Sequence, residues 1–370
     1  MRKNCFSYPV ETTDGAFGES VVLAETLRKV AGSDEPRVLI VADMNVVQRT
    51  EGLGAEIGRY VQRHGIQLAG SPVVIAAGEK IKSDGLKSAV TIASAALEAK
   101  LGKSDVVLVL GGGTLLDVAG YVAAQVRGGV KVVRVPTTPA AMLDAAFSEY
   151  AAVNSATVKD ALRVPAAPAA VVIDPAFAAT VLDGVWRGGI GEAVRFAAVS
   201  DAAMMKKLRS LGPAYSARDI DALREIVSMA CAARAKKGPT DFAEWAAFRL
   251  EAMSGWKLPH GYAVGIGIGI DTGYSVERGL MKAEDRDSVM SFLASCRALD
   301  GIEHSRHLLS QADDLLRGLD AWRLSAGSAA ITIPAGVGKS AVEPEPDREL
   351  FRAVLSKLAS SPPGGASPAE

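Results

Sequence analysis

Between Arg37 and Pro136, short runs of β-branched and other apolar residues alternate with longer stretches of helical spacing. The order is RVLIVAD, then Asn45 to His64, PVVIAAG, Lys82 to Leu101, and DVVLVLGGG, with KVVRVPTT at 131 to 138 as a further run. This alternation predicts βαβ units and a parallel sheet. The runs are apolar at odd and even positions alike, as strands covered by helices on both faces require. After about Pro175 the pattern changes: Gly191 to Leu208 and Ile220 to Lys236 are long, Ala- and Leu-rich, and spaced as helices. Asp144 to Pro168, with its Asn, Asp and Pro turn residues, is the expected crossover. No internal repeat is visible. The expected fold class is α/β plus all-α, with an N-terminal domain over 1–170, a helical domain over 171–360 and a tail, SPPGGASPAE, over 361–370.

Composition narrows the function classes. The chain has 370 residues, and 41 Lys and Arg against 42 Asp and Glu give a net charge of −1, which excludes a strongly basic nucleic-acid binder. At roughly 150 residues per domain this length suits two domains, and 49% hydrophobic residues suffice for two cores. Cys5, Cys231 and Cys296 lie far apart without a CxxC pair, so neither a disulfide framework nor a cysteine zinc site is expected. No apolar stretch follows the N-terminal charges, which argues against a signal peptide. The longest apolar run, Val106 to Val126, is broken by Asp117 and four glycines and is no membrane span. A cytoplasmic protein is the expectation.

The first candidate chemistry is the turn Gly111-Gly112-Gly113 between a strand and the helix TLLDVAGYVAA. Glycine lets the backbone approach a pyrophosphate, and the helix N-terminus offers free N–H groups and partial positive charge. Asp43 follows the strand VLIVA, placed to accept from a ribose hydroxyl; Gly78-Glu79-Lys80 and Pro136-Thr137-Thr138 end two further strands. Each alone also reads as an ordinary turn. Together they lie at the carboxyl ends of parallel strands, the edge where open α/β sheets bind nucleotides.

Four segments carry a family resemblance: GGGTLLDVAGYVAA, VPTT followed by Asp144, IGEAV at 190 to 194, and PHGYAVGIGI at 259 to 268. In order and spacing, from about Asp43 to about Gly279, they resemble the dehydroquinate synthase superfamily, the sugar phosphate cyclases. The resemblance implies a Rossmann-like NAD-binding domain, a helical metal-binding domain and a homodimer acting on a small molecule. Its cofactor residues would be Asp43, Glu79, Lys82, Gly111, Gly112, Gly113, Asp117, Thr137 and Thr138. It also implies a reaction in which NAD takes a hydride from a secondary alcohol, phosphate is eliminated, the hydride returns and an aldol step closes the ring. A divalent metal, zinc or cobalt, polarises the oxygens.

Carried over by position, Glu192 falls on the family's glutamate ligand and His260 on its last histidine ligand. The middle segment departs from the family. Where the family has asparagine or aspartate, phenylalanine, glycine, histidine and a second histidine four residues on, this chain reads Asp241-Phe242-Ala243-Glu244, with Phe248 at the second histidine. Glu244 is either the third metal ligand, since carboxylate oxygen suits zinc, manganese or magnesium, or a solvated or ion-paired helix residue. In the substrate site Tyr150 replaces a lysine, Lys159 is kept, Asp160 replaces an asparagine, Arg195 a lysine and Tyr262 a glutamate, and Lys237 or Gly238 stands at an arginine position. Asp144, Lys159, Arg195 and Tyr150 are the candidate catalytic residues. The changes remove positive charge, and phosphate recognition depends on charge-assisted donors, so an altered or less phosphorylated substrate is expected. Lys159, Arg195 and Lys339 are the remaining anion-binding candidates. His304 and His307, three apart beside Arg306, are read as a polar helix face rather than a metal pair.

Three functions stay open at this point. They are a cyclase-like lyase of a specialised biosynthetic pathway, a nicotinamide-dependent alcohol oxidoreductase with net NADH production, and a non-catalytic homologue without the metal.

Overall fold

The computed structural model describes residues 8–360. It divides into two compact units, one ending at Leu182 and the other beginning at Asp183, with Thr157–Lys159 belonging to the second. The expected tail over 361–370, the N-terminal segment with Cys5, and the His304 side chain of the supposed histidine pair lie outside the described residues.

In the first unit, β1 (Val10–Thr12), β2 (Arg37–Asp43), β3 (Gln67–Leu68), β4 (Val73–Ile75), β5 (Val106–Gly111), β6 (Lys131–Pro136) and β9 (Ala170–Ile173) form one sheet. Its order is β1-β9-β6-β5-β2-β3, with β4 also on β2, and every pair is parallel. The central strands are buried along nearly their whole length, as their uninterrupted apolar pattern requires. Helices α1 (Val22–Ala31), α2 (Met44–Arg49), α3 (Leu53–Arg63), α4 (Lys87–Glu98), α5 (Gly113–Gln125) and α6 (Pro139–Leu143) complete the unit. The sheet runs past residue 170, because β9 pairs with both β1 and β6. The stretch expected to cross between domains instead carries an antiparallel hairpin, β7 (Tyr150–Val153) with β8 (Leu162–Pro165). Its alternating turn residues and short apolar runs serve a hairpin as well as a linker. Arg134, itself buried, donates to the carbonyls of Ala146, Ser148 and Ala166 and ties that segment to β6.

The second unit contains α7 (Asp183–Ser200), α8 (Ala202–Ser216), α9 (Ile220–Lys237), α10 (Glu244–Met253), α11 (His260–Glu277), α12 (Ala283–Ser295), α13 (Ile302–Leu309), α14 (Ala312–Ala326) and α15 (Arg348–Ser360). One hairpin, β10 (Ile331–Pro334) with β11 (Ser340–Glu343), joins them. Helix α11 packs against α7, α10, α12 and α15, and is buried around most of its circumference. Such a helix needs small residues where backbones approach. At Gly261 an added Cβ would stand 2.4 Å from the Gly188 carbonyl carbon, so α7 and α11 cross in backbone contact. No described helix is long and apolar enough to cross a membrane.

Helix α10 begins from a strained turn. Ala243 sits at φ +67°, a conformation costing a Cβ residue about 1–2 kcal/mol. Buried Asp271 holds the turn by accepting from Ala243 N at 3.0 Å and Trp245 Nε1 at 2.9 Å. Burial, opposed by these two hydrogen bonds, pushes the Asp271 carboxyl up to about 7. Asp271→Ala leaves two buried donors without their acceptor, and we expect a loss of about 2–4 kcal/mol in urea unfolding. A loss within error of zero would mean that the α10 start is held by other contacts.

Candidate active site

The chain runs from β2 to β4 on one side and then across β2 to β5 on the other, so the order reverses at the carboxyl ends of β2 and β5. In open α/β sheets a crevice forms at such a point. Gly111 ends β5, Gly112 is the N-cap of α5 and Gly113 its first residue. None of the three has positive φ. Glycine is needed there for close approach, since a Cβ on Gly112 would lie 3.1 Å from Thr138 Cγ2 and one on Gly113 3.0 Å from Ala145 Cβ. Thr137, wholly buried, donates its N–H to Gly111 O at 3.0 Å, while its Oγ1 has no hydrogen-bond partner among the described residues. Thr138 caps α6 through Ala141 N.

The other cofactor candidates are placed around the same unit, several of them already engaged. Asp43 caps α2, its Oδ1 accepting from Asn45 N at 2.8 Å and Asn45 Nδ2 at 3.1 Å. Glu79 accepts from Asn154 Nδ2 at 2.8 Å. Lys82 is buried and donates to Asp117 at 2.6 Å and Asp160 at 2.5 Å. Burial opposes its charge, but the two carboxylates outweigh it and hold the ammonium well above its ordinary pKa. Asp144 ends α6, with its N–H on Ala140 O and its carbonyl accepting from Phe147 N. Tyr150 is half exposed on β7, its ring under the Arg163 guanidinium at 4.3 Å.

In the helical unit, the α7–α11 crossing at Gly188 and Gly261 sets Glu192, one turn beyond the first, against His260, next to the second. His260 Nε2 lies 3.0 Å from Glu192 Oε1, and Nδ1 lies 2.7 Å from Glu251 Oε1. Lys159 Nζ pairs with Glu251 Oε2. Arg195, three residues after Glu192 and so on the same helix face, puts Nε and Nη2 on Glu192 Oε2 at 2.9 Å, and Nη1 on Glu244 Oε1 at 2.5 Å. The same Nη1 donates to Thr240 O at 3.2 Å. Burial lowers the His260 pKa, but the Glu251 charge and the hydrogen bonds to Glu192 and Glu251 prevail and push it up to about 10.

Phe248 packs beside this chain of charges, its ring 6.5 Å from the His260 ring and 5.6 Å from Lys159 Nζ. Tyr262 packs rather than reaching the cluster: a Cβ on Gly301 would come within 2.7 Å of its Cβ. Lys339 is exposed at the β10–β11 turn.

Glu192 and His260 thus come together, whereas Glu244 is ion-paired with Arg195. The donors do not converge as three ligands. Glu244 and one Glu192 oxygen face the guanidinium, His260 Nε2 faces the other Glu192 oxygen, and among the described residues no group of three or more His, Cys, Asp or Glu side chains is placed to hold a metal ion. The residue missed by sequence reasoning is Glu251. Its signal was its position seven residues after Glu244, two turns along one helix face.

A parallel α/β unit with a glycine turn at its switch point, joined to a helical unit with a buried carboxylate–histidine cluster, defines a nucleotide-fold protein with an attached all-α domain. The chain belongs to the dehydroquinate synthase family: the model for the 3-dehydroquinate synthase N-terminal domain matches residues 72–187, and that for the C-terminal domain residues 189–304. It is 27% identical to 3-dehydroquinate synthase of Gloeobacter violaceus over 87% of this chain and 90% of that protein. It is 30% identical to the Shouchella clausii enzyme over 70% of this chain and 72% of that one. Among solved structures it resembles 2-epi-5-epi-valiolone synthase from Streptomyces hygroscopicus subsp. jinggangensis, bound to NAD+ and Zn2+, with TM-score 0.78 and 23% identity over 95% and 97% of the two chains. It also resembles 2-deoxy-scyllo-inosose synthase complexed with carbaglucose-6-phosphate, NAD+ and Co2+, with TM-score 0.74 and 17% identity over 94% and 96%. These neighbours hold the cofactor pair that the resemblance implied, NAD with a divalent metal.

Proposed function

We propose that this protein is an NAD-dependent carbon–oxygen lyase of the dehydroquinate synthase type, a sugar phosphate cyclase-like enzyme of a specialised pathway whose substrate is less phosphorylated than the family's. The observation that carries the NAD assignment is the glycine turn at the switch point with the buried Thr137 Oγ1 beside it. An unpartnered buried hydroxyl is costly unless a ligand satisfies it. NAD, when bound, takes up a hydride from a secondary alcohol and returns it. Gly111, Gly112 and Gly113 would hold its pyrophosphate, with Thr137, Thr138 and Asp43 around them. Catalysis is assigned to Asp144, Lys159, Arg195 and Tyr150.

Several placements support the altered substrate. Lys159 and Arg195 are both paired with glutamates, Asp160 faces Lys82, and Tyr150 replaces a lysine. Cations matched inside the protein attract a phosphate less than solvated ones. The proposal includes a cytoplasmic homodimer, which light scattering checks.

Gly112→Val should weaken NAD binding by about tenfold or more, a change of about 1.4 kcal/mol, because the side chain would press on Thr138 and fill the approach to the turn. Calorimetry with parent and variant decides it. Equal affinities would place the nucleotide elsewhere. A lyase recycles its cofactor, so accumulation of one NADH per turnover would favour the alcohol oxidoreductase reading instead.

A further inference from the structure

We infer that Arg195 is an internal cation standing in for a divalent metal at the Glu192–Glu244–His260 cluster, its guanidinium bridging the two carboxylates a metal would bind. The inference rests on the lyase reading for its choice of site, and it changes that site's chemistry.

The guanidinium is seated where a bridging cation would have to lie. It meets Glu192 with two nitrogens and Glu244 with a third, and its side chain is 2% exposed. A planar fork of donors suits two carboxylates better than a lysine ammonium would, and lysine is the family residue at this position. Across the network, Arg195 meets Glu192 and Glu244, Lys159 meets Glu251, and His260 lies between Glu192 and Glu251. A divalent ion entering here would have to displace Arg195 from both Glu192 and Glu244. Losing one partner of a buried pair is strongly unfavourable.

The histidine-to-glutamate change at position 244 and the lysine-to-arginine change at 195 therefore read as one exchange. Where the resemblance implies an imidazole ligand, this chain has a carboxylate with a fixed organic cation on it. A guanidinium seated in this way has no lone pair and offers no coordination position.

The test uses the full-length protein, purified without chelator. Its metal content is measured by mass spectrometry, and Co2+ and Zn2+ are titrated in with the cobalt visible spectrum and the thermal midpoint as readouts. We expect substoichiometric metal, no ligand-field bands, and a midpoint unmoved by either metal or by EDTA. Arg195→Met removes the guanidinium from Glu192 and Glu244 and should tighten Co2+ binding by about tenfold or more. One metal per parent chain, lost in Glu192→Gln, would overturn the inference. So would equally weak cobalt binding in parent and a folded Arg195→Met. If Arg195→Met does not fold, the parent's own stoichiometry decides. NAD calorimetry on the same sample separates the two readings: metal uptake with NAD binding sinks only this inference, whereas loss of NAD binding sinks the functional proposal.

Discussion

Glu192→Ala is expected to lower the unfolding free energy by about 3–5 kcal/mol, the cost of removing one partner from a buried ion pair. Glu192 and Arg195 are 1% and 2% exposed, so water does not replace the lost carboxylate. Both of its oxygens are used, one by His260 and one by Arg195, and the mutation leaves Arg195 on Glu244 and His260 on Glu251 without the carboxylate they share. Glu192→Gln is the control, since an amide keeps the shape and one acceptor; its loss should be smaller. Denaturant unfolding of the three proteins reads the effect. An alanine variant within about 1 kcal/mol of the parent would show that the network is screened as surface pairs are.

Gly261→Ala should destabilise by about 3 kcal/mol or more, at or beyond the upper end for overpacking, because its methyl would stand 2.4–2.5 Å from the carbonyl carbon, Cα and O of Gly188. Backbone cannot rotate aside as a side chain can, so α7 and α11 must separate. That separation also moves Glu192 from His260, and loss of the 3.0 Å contact should follow. A crystal structure of the variant, with unfolding data, would show both effects. Gly58→Ala is the matching control: it is exposed on α3 with nothing within 4 Å of an added Cβ, and helix propensity predicts a gain of up to about 1 kcal/mol. A tolerated Gly261→Ala would mean that the crossing is looser than its contacts indicate.

Much of the fold was legible because it depends on local pattern. Runs such as RVLIVAD and DVVLVL, β-branched and alternating with helical stretches, fit buried parallel strands, and Gly111 to Gly113 mark the strand-to-helix turn. Less was legible where a local pattern has two solutions. Turn residues between 144 and 168 suit a linker or a hairpin; the structure has the hairpin, and Arg134 binds three carbonyls of that stretch. Likewise the sheet's end at β9 followed from pairing with β1, a strand some 160 residues earlier in sequence.

The site divides along the same line. By itself the sequence determined the strands, the glycine turn, the apolar helices and, through resemblance, that Glu192 and His260 belong to one cluster. It also left two roles open for Glu244. Only the tertiary structure brought Glu244 against Arg195, because an ion pair between residues 195 and 244 depends on how two helices meet, and periodicity within either helix carries no record of that. The same holds for Glu251, whose place against His260 and Lys159 arises from the α10–α11 packing. Spacing dictates which residues share a face; the crossing of small-residue faces at Gly188 and Gly261 dictates which charges meet.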